Sequence, residues 1–416
     1  MQLVFRAGVL LLGSLTIVAQ TLTVVPSRAM LDESPAIRLA GLAAGERATI
    51  HAGLTDGAGH EWQSHADIAA DGAGSAEISA AALIFSMMPA GRGVALYQPM
   101  RNLAPQRISF KLSRKGGGAE AELEQLTLAP GVTTTPVRDD GLRGILFTPP
   151  GEGRHPAVLV LSGSNGGVPV RPAAWLAAHG YAALALAYFR YEDLPPLLEA
   201  IPLEYFQRAL AWMTKRPEID PQRIAVMGTS RGGELALQLG SMFPQITAVV
   251  AYVPADVRFP ACCGMTHVPY AWTWQGRGLA FVPRRMLGAR ESVPEAAIQV
   301  ERTHGPILTV SGEDDHVWHS VAMSESVMAR LKRAHFPYRF ENLKYAHAGH
   351  AAGRPSIQPA WHGAMRHPVS GNEMDLGGSP KGDAESTMDA IPKVLGFLAD
   401  AWKNTEEHNS AADKRR

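Results

Sequence analysis

The sequence predicts a doubly wound, mostly parallel α/β sheet preceded by a β-sandwich domain. Three observations lead to this prediction: short alternating strands up to about residue 130, alternating apolar strands and amphipathic helices after Gly131, and a length of 416 residues, which suits two domains. With 46% hydrophobic and 19% charged residues, the chain can form packed cores and is not mainly disordered. Its 39 Lys and Arg residues balance 39 Asp and Glu residues, so charge does not support nucleic-acid binding.

The N-terminal segment differs from the rest of the chain. Ala7–Ala19 is an apolar run that follows a positively charged start, and it is shorter than the roughly 20 residues that a membrane helix requires. We therefore predict a signal peptide over residues 1–19, a mature start near Gln20, and export to the periplasm or medium. An uncleaved anchor that extends through Val25 is the alternative.

Residues 20–130 have the pattern of short strands and turns. Ala36–Leu39 and Ala48–Leu54 alternate between apolar and polar residues, and the turn-rich segment Gly41–Gly45 separates them. Arg114–Gly118 is predicted to be a hairpin tip or linker. The spacing predicts a β-sandwich with no catalytic residues of its own.

Residues 131–405 are predicted to form the doubly wound sheet, with a polar tail at 406–416. Ala157–Leu161 is a continuous apolar run, as expected of a strand that is buried on both faces of a parallel sheet. The other predicted elements are the helix Pro172–His179, the strand Ala182–Ala187, the helix Leu203–Lys215, and the strands Ile224–Met227 and Ile307–Val310, then the helix Val321–Arg333 and a strand near Tyr338–Phe340.

The strongest functional motif is Gly228-Thr229-Ser230-Arg231-Gly232, a G-x-S-x-G between a predicted strand and a helix that is expected to begin near Gly233. In this setting the serine sits on a tight turn that exposes its hydroxyl group, and the following helix N-terminus points its positive dipole end at developing negative charge. The motif predicts that Ser230 is a nucleophile.

A serine nucleophile needs a base, and the base needs an acid that orients it. In this fold the acid precedes the histidine along the chain. Asp315, just after the strand Ile307–Val310, is the predicted acid, and Asp314 is the alternative. His350 is the predicted base, and His347 and His316 are the alternatives.

An oxyanion hole is expected from backbone N–H groups of Arg231 and of Ser164 and Asn165 in the glycine-rich loop 162–167. This loop lacks the spacing of nucleotide-binding motifs, so no cofactor is predicted. No metal is predicted either. Cys262 and Cys263 lack zinc-site spacing, and since neighbouring cysteines rarely bridge without strain, we interpret them as small apolar residues.

The aromatic segment Pro260–Arg284 is predicted either to lie over the active site and take up an acyl chain or simply to pack the edge of the domain. Its aromatic residues, together with Phe259 just before it, are Phe259, Tyr270, Trp272, Trp274 and Phe281.

Segments along nearly the whole mature chain are similar to one known family. They are Pro26–Glu33, Ile37–Leu42, Trp62–Ala66, Leu203–Phe206, Gly228–Leu237, Ala271–Gly276, Gly312–Trp318 and Ala348–His350. With these segments the chain resembles the acyl-CoA thioesterases and bile acid-CoA:amino acid N-acyltransferases. The resemblance implies an N-terminal immunoglobulin-like domain, an α/β-hydrolase domain, and Ser230, Asp315 and His350 as nucleophile, acid and base.

Two departures bear on the activity that the resemblance implies. Amino-acid-conjugating members use cysteine as nucleophile, whereas Ser230 favours hydrolysis, and the family's usual lysine after the nucleophile is Arg231 here. Export would also separate the protein from intracellular coenzyme A. We predict a hydrolase of small-molecule acyl thioesters; the alternatives are a carboxylesterase of the dienelactone-hydrolase type, an acyl transferase to an amine and, last, a non-catalytic binding protein.

Overall fold

The structure, a computed structural model, describes residues 21–403 apart from 95, 115, 116 and 364. The predicted signal peptide over residues 1–19 and the predicted polar tail at 406–416 lie outside the described residues. No helix in the described part of the chain is both long enough and apolar enough to span a bilayer.

Two sheets form the front of the chain. Their strands and the adjoining helix are β1 Thr21–Val25, β2 Arg28–Met30, β3 Ala36–Ala40, β4 Arg47–Thr55, β5 Glu61–Ala69, β6 Ala76–Ser79, α1 Ala80–Phe85, β7 Met88–Pro89, β8 Gln106–Arg114 and β9 Gly117–Leu126. One sheet has the order β1-β3-β6 and the other β2-β9-β8-β4-β5-β7. Both contribute to one apolar core, since alternate residues such as Ile37 and Ile50 are fully buried there.

An eight-stranded sheet follows, in the order β10-β11-β13-β12-β15-β16-β19-β20. Its strands are β10 Thr133–Val137, β11 Arg143–Thr148, β12 His155–Leu161, β13 Ala182–Ala187, β15 Ile219–Thr229, β16 Ala248–Tyr252, β19 Ile307–Gly312 and β20 Phe340–Tyr345. From β13 to β20 in this order, each strand pairs with its neighbour in parallel. Strand β11 pairs antiparallel with both of its neighbours, β10 and β13. This mostly parallel sheet confirms the predicted α/β-hydrolase fold class.

Helices cover both faces of the eight-stranded sheet. They are α2 Val170–Ala178, α3 Leu203–Thr214, α4 Arg231–Met242, α5 Ser320–Arg333 and α6 Pro380–Asp400. Strand β12 shows the two faces directly, because Leu159 and Leu161 belong to the core with α3, α4 and α5, whereas Val158 and Val160 belong to the core with α2 and α6. Burial on both faces explains why this strand is apolar at every position from Ala157 on.

Smaller elements complete the described fold. They are the strands β14 Ile201–Pro202, β17 Trp272–Trp274 and β18 Arg277–Gly278, the hairpin β21 Met365–Arg366 with β22 Glu373–Met374, and 3-10 helices at Arg101–Leu103, Asp139–Gly141, Arg284–Ser292, Pro294–Ala296 and Val300–Arg302. The segment before the hairpin β21–β22 contacts the two N-terminal sheets. The Gln125 side chain donates to the Ile357 carbonyl over 2.9 Å, and Trp361 packs edge-on against Trp62.

Several predicted elements lie where the sequence placed them, and others differ at their ends; β15, for example, begins at Ile219 rather than at Ile224. Helix α4 begins at Arg231 rather than near Gly233, because the turn after β15 consists of Ser230 alone. The strand predicted near Tyr338–Phe340 is β20, which runs from Phe340, while Tyr338 is exposed. The division into an immunoglobulin-like domain at 20–130 and a catalytic domain at 131–405 stays a prediction.

Candidate active site

Ser230 lies on a strained turn between β15 and α4. Its backbone has φ 59° and ψ −120°, in the positive-φ region that side chains rarely adopt. The flanking glycines explain how the turn closes: a Cβ on Gly228 would lie 2.1 Å from the Gly232 carbonyl oxygen, and one on Gly232 would lie 2.4 Å from the Ser162 carbonyl oxygen. Only glycine fits at these two positions, and Ser230 is held where the helix N-terminus begins.

Ser230, His350 and Asp315 form one hydrogen-bonded chain. His350 Nε2 lies 2.9 Å from Ser230 Oγ, and His350 Nδ1 lies 2.9 and 3.0 Å from the two oxygens of Asp315. All three residues are at least nine-tenths buried. The Asp315 carboxylate also accepts the backbone N–H groups of Val317 and Trp318, at 3.0 and 3.2 Å, which fix its orientation. The arrangement can take a proton from the serine hydroxyl.

The alternative acids and bases lie elsewhere. Asp314 is half exposed and contacts His316 and the backbone N–H of Gly378, so its carboxylate does not contact His350. The His316 ring lies between Asp314 and Asp375, and these two carboxylates, Asp375 first, raise the pKa of His316. His347 is exposed. The structure thus brings together the three side chains that the sequence analysis preferred, although their catalytic roles stay a prediction.

The glycine-rich loop lies beside Ser230. A Cβ placed on Gly163 would be 3.5 Å from Ser230 Cβ, so the loop forms one wall around the hydroxyl group. Ser164 lines the same pocket, whereas the Asn165 side chain is exposed and its backbone carbonyl accepts a hydrogen bond from Arg190 over 2.9 Å. Arg231 is the first residue of α4, where backbone N–H groups lack helical partners. The oxyanion roles of Ser164, Asn165 and Arg231 stay a prediction.

A pocket of about 440 Å³ opens in front of Ser230. One side is mostly apolar and consists of Phe259, Pro260, Ala261, Cys262, Cys263, Val317 and Trp318. The hairpin β21–β22 also lines the pocket, with the polar residues Ser370, Asn372 and Glu373 and the apolar Met374. Since apolar walls with a few polar groups are typical of small-molecule sites, the pocket can hold an apolar group next to the hydroxyl.

The segment Pro260–Arg284, with the preceding Phe259, in part lines the pocket and in part packs the domain. Phe259 lines the pocket and is buried. Trp272 is buried in the core beneath α4, and Trp274 packs edge-on against Phe243 at 5.8 Å. The start of the segment therefore lines the pocket that could take up an acyl chain, while these two tryptophans pack the domain.

Cys262 and Cys263 require a correction. The sequence analysis interpreted them as unlinked apolar residues, but in the structure they are joined by a disulfide. That expectation was wrong because it assumed an ordinary backbone, whereas Cys263 has φ 77°, a conformation that composition and spacing do not reveal. Both residues are buried in the wall of the pocket.

A buried ion pair lies directly behind the nucleophile. Arg231 Nε is 3.3 Å from Glu234 Oε2, one turn along α4, and Glu234 Oε1 accepts the indole N–H of Trp272 over 2.7 Å. Burial raises the pKa of Glu234, and the Arg231 guanidinium and the Trp272 hydrogen bond oppose this shift. Arg231 also donates to the Phe259 carbonyl over 3.2 Å, so its side chain supports the pocket wall from within.

Sequence analysis missed His367, which lies in the pocket on the hairpin β21–β22. Its Nε2 is 2.9 Å from Ser164 Oγ, and its Nδ1 accepts the backbone N–H groups of Val369 and Ser370 at 3.2 and 3.1 Å. Because Nδ1 is an acceptor, Nε2 carries the proton and donates to Ser164. No motif marks an isolated histidine of this kind, so only the contact with the loop at 162–167 identifies it.

We expect His367→Ala to lower kcat by about 10²-fold, because a small displacement of the loop next to Ser230 can cost that much. His367→Gln should recover part of the rate, since its amide can donate to Ser164 Oγ. Exposed His304 provides the control, and His304→Ala should match the wild type. Steady-state kinetics of the four proteins checks this, and an unchanged kcat in His367→Ala would show that the contact is not needed.

Among the described residues, no group of three or more His, Cys, Asp or Glu side chains has the arrangement of a metal site. The triad described above needs neither a metal nor an organic cofactor to take a proton from Ser230.

Known acyl-coenzyme A thioesterases are similar to this chain over most of its length. Residues 201–404 match the family model described as BAAT / Acyl-CoA thioester hydrolase C terminal. Acyl-coenzyme A thioesterase 6 of Mus musculus is 30% identical over 91% of this chain and 96% of its own length. Mitochondrial acyl-coenzyme A thioesterase 2 of Rattus norvegicus is 30% identical over 91% of this chain and 88% of its own length.

Two further comparisons are more distant. Peroxisomal succinyl-coenzyme A thioesterase of Mus musculus is 28% identical over 94% of this chain and 99% of that protein. A solved structure of a putative dienelactone hydrolase from Klebsiella pneumoniae covers 65% of this chain and 98% of its own, at 17% identity and a TM-score of 0.41, too low to bear on the activity. On matches of 30% identity that cover 91% of its length, this chain belongs to the acyl-coenzyme A thioesterase family.

Proposed function

We propose that this protein is a serine hydrolase of acyl thioesters that acts through an acyl-enzyme. The observation that carries the proposal is the contact of 2.9 Å between His350 Nε2 and Ser230 Oγ, at the base of a pocket with an apolar wall. Membership of the acyl-coenzyme A thioesterase family supports a thioester as the substrate. The two kinds of support are independent, because one concerns geometry and the other descent.

The acylation step follows from the geometry. Ser230 Oγ attacks the thioester carbonyl carbon while His350 Nε2 accepts the hydroxyl proton, and Asp315 stabilises the imidazolium that forms. Negative charge develops on the carbonyl oxygen next to the N-terminus of α4, where Arg231 begins the helix. The carbon–sulfur bond then breaks, and His350 returns the proton to the departing sulfur, which leaves as a free thiol.

The deacylation step repeats this chemistry with water. His350 takes a proton from a water molecule that attacks the acyl-enzyme carbonyl carbon, and it returns the proton to Ser230 Oγ as the ester bond breaks. The products are a carboxylic acid and the thiol that left first. Phe259, Trp318 and the two cysteines form the wall that can contact the acyl chain.

A substrate panel tests the class of reaction. Coenzyme A thioesters and p-nitrophenyl esters of matched acyl chains of rising length should both be hydrolysed, and kcat/KM should be higher for the thioesters. A fluorophosphonate probe should label Ser230 in the wild type and leave Ser230→Ala unlabelled. Failure to label folded wild-type protein would contradict the hydrolase, whereas oxygen-ester turnover without thioester turnover would favour a carboxylesterase.

Acyl transfer to an amine is the competing outcome for the acyl-enzyme. Serine as nucleophile favours water as the acceptor over an amine, because the amino-acid-conjugating proteins that this chain resembles use cysteine. Adding glycine to the thioester assay should therefore leave the carboxylic acid as the product. Accumulation of the glycine amide, detected by mass spectrometry, would contradict hydrolysis as the main reaction.

We also propose that the protein is exported and that the mature chain begins near Gln20. The apolar run Ala7–Ala19, which follows a positively charged start, supports export, and the small residue Ala19 suits a cleavage position. A disulfide at Cys262–Cys263 also suits an oxidising compartment. Fractionation of cells that express the full chain, with N-terminal sequencing, tests this, and an unprocessed cytoplasmic protein would contradict it.

A further inference from the structure

We propose that the Cys262–Cys263 disulfide is a thiol-exchange site through which the thiol released by hydrolysis reversibly blocks the pocket. The proposal rests on the proposed function only for the source of the thiol. Its other premises are the position of the disulfide, the backbone of Cys263 and the contacts that join this wall to the catalytic groups.

The disulfide and the nucleophile share one space. Cys262 and Cys263 line the pocket of about 440 Å³ that also contains Ser230. Their exposed fractions are 7% and 8%, so their surroundings shield them from most of the solvent. A thiol that enters this pocket, or one that is formed in it at Ser230, therefore comes close to the two sulfurs.

The backbone conformation of Cys263 favours exchange. Cys263 has φ 77°, which costs energy for any residue other than glycine and is kept only while the surrounding structure enforces it. Opening the disulfide removes one of the constraints that enforce it.

The exchange step balances without any added oxidant. A thiolate attacks one cysteine sulfur, the bond between Cys262 and Cys263 breaks, and a mixed disulfide forms while the other cysteine leaves as a thiolate. When the free thiol is diluted, the neighbouring thiolate attacks the mixed disulfide, expels the small thiol and closes the original bond. The electrons are conserved in both directions.

The mixed disulfide is expected to stop catalysis for two reasons. The attached group occupies the apolar side of the pocket, where the acyl chain would lie. The wall also contacts the catalytic groups, because Arg231 holds the Phe259 carbonyl, and Phe259 packs against Trp318, at 5.0 Å between ring centres. Trp318 in turn packs against the His350 ring at 5.3 Å.

The test uses the oxidised full-length protein with glutathione or coenzyme A as the thiol. After incubation, acid quenching and alkylation, peptide mass spectrometry should find the thiol attached to Cys262 or Cys263. Hydrolysis of p-nitrophenyl acetate, which releases no thiol, should lose most of its rate in step with adduct formation and recover on dilution. The double variant Cys262→Ser/Cys263→Ser should keep the same rate with and without thiol.

Two results would overturn the proposal. One is the absence of an adduct on the native protein under conditions where the same thiol opens the disulfide in urea. The other is an adduct that leaves ester turnover and fluorophosphonate labelling unchanged. Failure of the proposed function has a different readout: the fluorophosphonate probe would not label Ser230 in untreated protein. The two failures are distinguishable because adduct formation does not depend on catalysis.

Discussion

Ser230→Ala and His350→Ala are each expected to lower kcat by on the order of 10⁴- to 10⁶-fold, and the double variant should be little worse than either single one. The reason is that the hydroxyl group and the imidazole act as one unit, joined by a contact of 2.9 Å. Removing either partner leaves only binding and the oxyanion donors. Single-turnover kinetics with a thioester checks this, and effects that multiply in the double variant would contradict a shared proton transfer.

Asp315, the predicted acid, and its neighbour Asp314 provide a matched pair of variants. Asp315→Asn should also be severe, because an amide presents the wrong hydrogen-bond partner to His350 Nδ1. Asp314→Asn should stay near the wild-type rate, since this half-exposed side chain contacts His316 and Gly378 instead. Loss of activity in Asp314→Asn with retention in Asp315→Asn would show that the acid is assigned wrongly.

Glu234→Gln is expected to lower the free energy of unfolding by about 3–5 kcal/mol, because it leaves the buried Arg231 guanidinium without its counter-charge. Glutamine keeps the volume and can still accept the Trp272 indole N–H, so the change isolates the charge. Urea unfolding followed by tryptophan fluorescence measures the effect.

An exposed pair serves as the control for Glu234. Glu77 lies 2.9 Å from Arg38 with both side chains more than half exposed, so Glu77→Gln should cost no more than about 1 kcal/mol. Adding Arg231→Met to Glu234→Gln should recover most of the loss, since it removes the buried positive charge that Glu234 balances. If Glu234→Gln lowered the free energy of unfolding no more than Glu77→Gln does, the buried ion pair would not contribute the predicted stability.

Much of the doubly wound sheet could be predicted from the sequence because its strands are buried on both faces. A strand such as Ala182–Ala187 is apolar at every position, and its predicted bounds are those of β13. The G-x-S-x-G motif was equally informative, because the steric limits at Gly228 and Gly232 leave little choice of residue. Helix α6 was not predicted, although Ser379, which caps it, and Pro380 at its first position are signals for a helix start.

Local sequence therefore determined where the nucleophile turn lies, because the conformation of a tight turn depends on its own few residues. It also determined the order of serine, acid and base along the chain. Only the tertiary structure decided that Asp315 rather than Asp314 contacts His350, that His367 supports Ser164, and that Cys262 and Cys263 are bonded in the pocket wall. These contacts join residues that are far apart in sequence, or depend on a backbone conformation that the surrounding fold imposes, and neither leaves a periodic pattern or a motif.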